Sequence, residues 1–539
     1  MTVVSILVAS LLAVPVLVVL GSVFAPGGET WRHLAATVLP EYIGNTLWLM
    51  LGVGVGVSAI GIATAWLTTA CRFPGRRFFE WALILPLAVP AYVMAYAYSD
   101  FFQFAGPVQS WLRASFGWGP REYWFPEVRS LGGAAFLFSL AFYPYVYLLA
   151  RAAFLEQAAG MIEAGRSLGY GPWRSFFRLA LPLARPGVAA GVALALMETL
   201  ADFGTVGYLA LPTFTTGIYR AWLSLGDRVA ACQLAAALLA FVALVLIAER
   251  MSRGRARFDS RAPRRHGVAQ RLRGLPALGA VLACALPFAF GFILPAWILL
   301  DLALAGEGLQ FSQRYFTLVW NSVSLAAVTA ACAVALALLV AYATRAGGNV
   351  VALVAHRLAG LGYAVPGAVI AVGILIPVTR FDHALSGWLQ SLFGISTGLF
   401  LTGGIAALVY AYLVRFLAVA LQSVEAGLAK VTPGMDDAAR SLGAGPAHIL
   451  ARVHVPLLAP SLMTAGLMVF VDVMKELPAT FMMRPFNFDT LAVHAYNLAS
   501  DERLSELAAP ALTIVGVGIV PLILLSRTLI RARMDAERR

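Results

Sequence analysis

About twelve apolar segments, each long enough to cross a lipid bilayer, restrict this chain to membrane folds. Hydrophobic residues make up 60% of its 539 residues and charged residues 12%, whereas a soluble domain carries about 25% charged residues. A helix needs about 20 apolar residues to span the hydrocarbon core. Segments of that length can be placed at 3–25, 44–70, 79–101, 131–153, 187–209, 229–249, 275–303, 317–343, 353–378, 401–422, 462–482 and 508–526. We predict an all-α polytopic membrane protein with about 12 transmembrane helices.

Positive charge collects in alternate loops between these segments. The formal net charge is +12, and arginines follow the second, fourth, sixth and twelfth segments, in the ranges 72–77, 151–185, 250–273 and 527–539. Such an excess is typical of the cytoplasmic side of a membrane protein. We therefore predict that both termini are cytoplasmic. No known nucleic-acid-binding fold accompanies the arginines, so we expect contact with the lipid bilayer and not with nucleic acid.

The first segment and the cysteines indicate neither processing nor metal binding. Residues 1–25 lack a basic n-region and a convincing cleavage site, so we predict a retained membrane helix. The cysteines lie in or beside apolar segments without paired spacing, which favours neither a disulfide framework nor a zinc site. They are Cys71, Cys232, Cys284 and Cys332.

The chain contains an internal repeat. Ala88-Val89-Pro90 recurs as Ala364-Val365-Pro366, and Asn45-Thr46-Leu47 corresponds to Asn321-Ser322-Val323, both 276 positions later. The prolines are expected to kink their helices. An even number of spans in each copy gives both copies the same orientation. The sequence therefore predicts two parallel pseudo-two-fold repeats, with the transport pathway between them.

The repeat sets the predicted domain boundaries. The N-terminal half covers 1–249 and the C-terminal half covers 274–539, each with about six membrane helices. The arginine-rich stretch 250–273 is predicted to be a cytoplasmic linker between them.

A polar loop in each half repeats most closely. Over 163–186 and 437–460, eleven of twenty-four residues match without a gap, at an offset of 274. Gly169 and Gly443 would each end a short helix, and the Gly-Pro that follows would begin another. We call 163–182 the first repeated loop and 437–456 the second. Small residues in them would let another protein approach closely, so they predict two docking points; a surface helix on the headgroups is the alternative.

Both loops resemble the signature loop of type I ABC importer permeases, in which an acid-Ala-Ala triplet precedes a glycine and then an aliphatic-proline pair. The first loop departs from the pattern at Gly165, and the second has an aspartate for the glutamate, which preserves size class and charge. The matching residues are Glu163, Ala164, Gly165, Gly169, Leu179, Leu181, Pro182, Asp437, Ala438, Ala439, Gly443, Val453, Val455 and Pro456.

The resemblance implies a specific set of partners. In that family the loop is a coupling helix that binds in a cleft on a cytoplasmic ATPase dimer. This chain has only two lysines, Lys430 and Lys475, and neither follows a glycine as a P-loop requires. The chain is therefore expected to hold no cofactor, with ATP bound by the partner. A periplasmic or lipid-anchored substrate-binding protein and a location in the bacterial inner membrane are also implied.

Three further stretches resemble the fused, two-half ferric-iron permeases of this superfamily. They are Ala201–Gly207, Pro212–Tyr219 and Lys475–Thr480. The resemblance covers nearly the whole chain and implies ferric iron as cargo, which spacing and composition alone do not show.

Two pairs of acids lie at matched positions in the fifth and eleventh segments: Glu198 with Asp202, and Asp472 with Glu476. The i, i+4 spacing predicts that each pair occupies one helix face, with Glu198 near mid-membrane. Because acids inside a membrane usually face a cavity or a partner, these four residues are the candidate translocation path. Transient contact with ferric iron is one interpretation, without a tightly bound metal. The other is that they brace helix ends or pair with Lys475.

Other functions are compatible with parts of this pattern. The same kind of machine could carry thiamine or another small solute. A secondary transporter of the major facilitator kind also has twelve spans in two parallel halves, but it leaves the repeated loops unexplained. A channel or an intramembrane enzyme fits less well, because no filter-like segment or clustered catalytic residues are present. The chain is thus predicted to be a non-catalytic permease subunit.

Overall fold

The computed structural model describes residues 2–26, 28–120, 122–167, 169–253, 270–305, 312–347, 350–394, 398–429 and 431–537. Within them, eleven helices are long and apolar enough to cross a membrane. A twelfth span results if the bent pair Arg76–Ala88 and Ala91–Phe116 is counted as one. The prediction of an all-α polytopic membrane protein with about 12 transmembrane helices is therefore confirmed.

The chain is built almost entirely from helices. The first twelve are α1 Thr2–Gly21, α2 Glu29–Thr37, α3 Leu39–Ala70, α4 Arg76–Ala82, α5 Ala91–Phe102, α6 Pro107–Phe116, α7 Leu131–Ser167, α8 Pro172–Ser175, α9 Leu181–Ala201, α10 Gly204–Tyr208, α11 Phe214–Tyr219 and α12 Arg228–Arg253. The others are α13 Leu275–Phe288, α14 Leu294–Ala305, α15 Gln313–Gly347, α16 Val350–Leu361, α17 Gly367–Phe393, α18 Ala406–Leu428, α19 Pro433–Ser441, α20 Pro446–Ile449, α21 Val455–Met474, α22 Pro478–Met483, α23 Leu491–Ser500 and α24 Leu504–Glu537.

The described residues contain one short sheet. Strand β1, Cys71–Arg72, pairs in parallel with strand β2, Gln270–Arg271. This pairing attaches the end of the predicted basic linker to the loop after α3. Residues 254–269 of that linker lie outside the described residues.

The prolines singled out in the third and ninth segments lie where the helices break, and at Pro90 the bent pair Arg76–Ala88 and Ala91–Phe116 turns by 89°. Pro90 and Pro366 have nearly the same extended conformation, φ −59°, ψ 142° and φ −58°, ψ 142°, and each immediately precedes a new helix. Proline has no N–H to donate and disfavours helical conformation in the residue before it. The ninth span is consequently Gly367–Phe393 and not 353–378.

The described residues group into two compact units. One contains Met1–Leu34, Gly217–Leu239 and Gln310–Asn497, and in it helix α1 packs against α15, α16 and α17. The other contains Ala35–Thr216, Ala240–Leu309 and Leu498–Arg539, and in it α14 packs against α5 and α24. The units thus draw on both sequence halves, and the division at 250–273 stays a prediction about the sequence repeat.

Each unit contains the same long-range hydrogen bond, which supports the internal repeat. In one unit Asn45 Nδ2 donates to Pro212 O at 2.9 Å; in the other, Asn321 Nδ2 donates to Asp489 O at 3.1 Å. The two asparagines are the residues that the repeat aligned. Each ties the first part of a long membrane helix, α3 or α15, to the segment after a short helix, α10 or α22.

Candidate functional site

The second repeated loop is a helix, a left-handed turn and a second helix. Helix α19 ends at Ser441, and Gly443 follows at φ +81°, a left-handed conformation that favours glycine. Gly445 is extended, and Pro446 then begins α20. The predicted helix–turn–helix is present.

The first repeated loop has the same turn but a different first helix. Gly169 is left-handed, φ +68°, and Pro172 begins α8. Glu163, Ala164 and Gly165 lie in the last turns of the 37-residue helix α7, which continues directly from the fourth membrane span. The second loop has Pro433 where the first has Ala159, so a new helix begins there instead.

A wide helical turn joins each loop to the next membrane helix. Each turn is a five-residue π-helix, and the two lie 274 positions apart, at Phe176–Ala180 and at Leu450–His454. The N–H of Leu181 donates to Phe176 O and that of Val455 to Leu450 O. Pro182 and Pro456 follow within the first turn of α9 and α21, where a missing N–H is tolerated. The prolines therefore lie inside the spans Trp173–Ala201 and Pro446–Met474.

The second loop presents an exposed surface of mixed character. Asp437 and Ala438 are exposed and Ala439 is half-buried, while Asp437 forms an ion pair of 3.2 Å with Arg440. Leu442 is 88% exposed. A Cβ placed on Gly443 would meet no atom within 4 Å. This surface is therefore accessible to another molecule.

One buried acid next to the second loop was not identified from the sequence. Asp436, next to Asp437, is buried, and it accepts hydrogen bonds from Arg345 Nε at 2.9 Å and pairs with His454 Nε2 at 2.6 Å. Burial opposes its ionisation, but the hydrogen bonds from His454 and Arg345 outweigh that effect and hold the pKa of Asp436 below its usual value. The sequence signal was an acid adjacent to the motif on the inward face of an amphipathic helix.

The second acid of each predicted path pair lies beyond its membrane helix. Helix α9 ends at Ala201 and α21 at Met474, so Asp202 and Glu476 do not share a helix face with Glu198 and Asp472. The one-face prediction is wrong, because the spacing was extrapolated past the helix ends.

Asp202 and Glu476 instead bind the amides that begin the next short helix. Asp202 Oδ1 accepts from Thr205 N at 2.7 Å, at the start of α10. Glu476 accepts from Ala479 N at 2.8 Å and Thr480 N at 3.0 Å, at the start of α22. A carboxylate satisfies donors that a helix N-terminus leaves without partners and favours its dipole.

Glu476 also belongs to a buried polar cluster. Its carboxylate forms an ion pair with Arg415 at 3.3 Å, and it accepts a hydrogen bond from the Thr480 hydroxyl. The Tyr412 hydroxyl hydrogen-bonds Thr480 in turn. Arg415, on α18, was missed in the sequence although a lone arginine in an apolar span is itself a signal.

The first acids of the two pairs differ in their surroundings. Asp472 pairs with Lys475 at 2.9 Å, and both side chains are partly accessible. Glu198 is half-buried on α9. Among the described residues, no three His, Cys, Asp or Glu side chains are grouped closely enough to hold a metal ion. The assignment of all four acids to a translocation path stays a prediction.

Comparison with known proteins relates the chain to transport components. The sequence family described as binding-protein-dependent transport system inner membrane component matches residues 58–254, a range that includes the first repeated loop.

Similarity to individual proteins extends over nearly the full length. The chain is 25% identical over 499 residues to the Fe(3+)-transport system permease protein FbpB 2 of Haemophilus influenzae, covering 91% of this chain and 90% of that protein. It is 24% identical over 510 residues to the ferric transport system permease protein FbpB of Actinobacillus pleuropneumoniae, covering 89% and 69%. The molybdenum transport system permease protein ModB of Escherichia coli is 33% identical over 147 residues, covering 27% and 60%.

Proposed function

We propose that the chain is an inner membrane component of a binding-protein-dependent transport system, in the fused two-half form, and that it imports ferric iron. A cytoplasmic ATPase dimer would dock on the two repeated loops, and a periplasmic or lipid-anchored binding protein would deliver the cargo. Both termini and both loops are assigned to the cytoplasm. The bacterial inner membrane is the location that the family implies.

The observation that carries the coupling proposal is the matched geometry of the two loops. Each has a glycine at positive φ and a Gly-Pro helix start, and then a π-helical turn at the same offset. Solvent-exposed large apolar side chains also lie on both, Trp173 on the first and Leu442 on the second. Exposed apolar residues beside small ones suit a surface that a partner covers.

The cargo proposal rests on the full-length similarity to permeases named for ferric iron. Glu198 and Asp472 are the stronger candidates for contact with iron because both side chains are partly accessible, although Asp472 also pairs with Lys475. Asp202 and Glu476 bind helix N-termini, so their charges are already used to stabilise α10 and α22. A hard trivalent cation prefers oxygen ligands such as carboxylates.

Uptake in cells tests the cargo proposal. Iron-starved cells without this gene should lose uptake of radiolabelled ferric iron, and a plasmid copy should restore it, while uptake of labelled thiamine and molybdate stays normal. Loss of thiamine or molybdate uptake with normal iron uptake would overturn the iron assignment and leave the importer assignment intact.

A further inference from the structure

We propose that Asp436 is a positioning residue: its charge anchors α19, which we call the second docking helix, to the membrane helices. The first docking helix, which is the end of α7, needs no such anchor. This role rests on the proposed function, in which α19 is an ATPase-docking helix.

The two docking helices differ in what supports them. The first is the end of α7, a helix of 37 residues that continues from a membrane span. The second, α19, is a separate helix of nine residues. A helix this short is not stable in water by itself, since isolated helices below about 12–15 residues are marginal. Its position must come from side-chain contacts.

Asp436 provides these contacts from the first turn of α19. Its carboxylate bonds to Arg345 on α15, and Arg345 also donates to Leu428 O at 3.1 Å and to Val431 O at 2.8 Å. One arginine therefore holds the end of α18, the connecting segment and α19 together. On its other side Asp436 bonds to His454, which is fully buried at the start of the next span.

Tyr342 extends the same cluster to the second helix of the loop. Its hydroxyl donates to Pro446 O at 3.0 Å, and its ring lies 5.2 Å from the His454 ring. Helix α15 thus binds both helices of the second loop, through Arg345 and Tyr342. We call Arg345, Asp436 and His454 the ionic anchor.

The first half has no residues that could form this anchor at the matched positions. The counterparts of Asp436 and His454 are Ile162 and Ala180, at offset 274, and that of Arg345 is Thr69, at the offset of 276 that aligns α3 with α15. Tyr342 corresponds to Trp66, whose ring lies 5.4 Å from Phe154 and 4.9 Å from Phe176. Aromatic packing around Trp66 therefore occupies the place of the contacts that Tyr342 makes in the second half.

Hydrogen–deuterium exchange of the full chain in lipid nanodiscs tests the anchor without any partner. Asp436→Asn should raise the exchange rate of 433–443 about tenfold or more, because local opening of α19 becomes easier. Residues 160–167 should change by less than about twofold. Glu425→Gln is the matched control, since Glu425 belongs to the same unit and pairs with His356 of α16 at 2.9 Å.

Two variants of His454 keep the test decisive if Asp436→Asn is produced poorly. His454→Gln retains a side-chain N–H that can reach Asp436, so residues 433–443 of this variant should exchange nearly as slowly as in the wild type. His454→Leu removes the donor and should exchange like Asp436→Asn. Unchanged exchange in Asp436→Asn and His454→Leu, or an equal rise in both loops, would show that the ionic anchor does not exist.

Uptake kinetics in cells then test whether Asp436 positions α19 for the ATPase. With the anchor lost, the maximal rate of iron uptake should fall about tenfold, with the half-saturating iron concentration unchanged, since the outward face is intact. Faster exchange with wild-type uptake would refute the positioning role. If wild-type cells show no uptake that depends on this gene, the proposed function fails, and the exchange rates still decide whether the anchor exists.

Discussion

Replacing Gly443 with leucine is expected to abolish ATP-driven uptake while the chain still inserts and folds. Gly443 has φ +81°, and a residue with a side chain pays about 1–2 kcal/mol in that conformation. The added atoms meet nothing within 4 Å in this chain, so its own packing tolerates them. They project instead from the exposed turn that the ATPase is proposed to cover. Uptake of radiolabelled iron and the amount of folded protein in the membrane should both be measured.

Gly279→Leu is the matched control for that experiment. Gly279 is an exposed glycine of α13 with ordinary helical φ, and a Cβ there also meets nothing within 4 Å. Its leucine variant should transport like the wild type, whereas Gly169→Leu should resemble Gly443→Leu. Normal uptake in Gly443→Leu would remove the second repeated loop from the docking surface.

Replacing Glu476 with glutamine is expected to destabilise the protein severely. The Glu476 side chain is 2% exposed and that of Arg415 is 10% exposed, and Glu476 also binds the first amides of α22. Removing one member of a buried ion pair leaves the other charge uncompensated, which costs about 3–5 kcal/mol of the free energy of unfolding. The midpoint of thermal unfolding in detergent should fall markedly.

Asp472→Asn provides the contrast within the same segment. Asp472 pairs with Lys475 three residues later, and both side chains retain access to solvent. Such a pair contributes at most about 1 kcal/mol. Its loss should leave the unfolding midpoint almost unchanged and reduce iron uptake if Asp472 lies on the path. A Glu476→Gln protein as stable as the wild type but inactive in uptake would assign Glu476 to the path and not to the fold.

Hydropathy was sufficient to identify most of the membrane helices, because a helix that spans lipid must be apolar over about 20 residues. The segment predicted at 229–249 is a span at Arg228–Ser252, and the one at 317–343 is a span at Gln313–Arg345. Errors occurred where backbone chemistry overrides hydropathy. Pro366 immediately precedes the ninth span and separates it from the apolar residues before it.

Helical periodicity failed for the acids because periodicity holds only while the helix continues. The apolar composition continues past Ala201 and Met474, so hydropathy alone does not indicate that the helices end there. One signal in the sequence could have indicated this role: an acid three residues before a residue whose backbone N–H needs an acceptor. Thr205 N and Ala479 N occupy that position relative to Asp202 and Glu476.

The ionic anchor depends on contacts between distant parts of the chain. Arg345 and Asp436 are 91 residues apart, and Asp436 and His454 are 18 apart. No pattern in a single sequence pairs them. The repeat offered an indirect indication, since Ile162 and Ala180 at the matched positions show that the two loops are not equivalent in chemistry.

Measuring the energy source of transport shows whether a separate ATPase drives this chain. Proteoliposomes containing the chain, its ATPase subunit and the loaded binding protein should take up iron only with hydrolysable ATP on the cytoplasmic side. Ionophores that collapse proton and sodium gradients should have no effect. Uptake that proceeds without ATP and stops with the ionophores would identify a secondary transporter and exclude an ATP-driven importer.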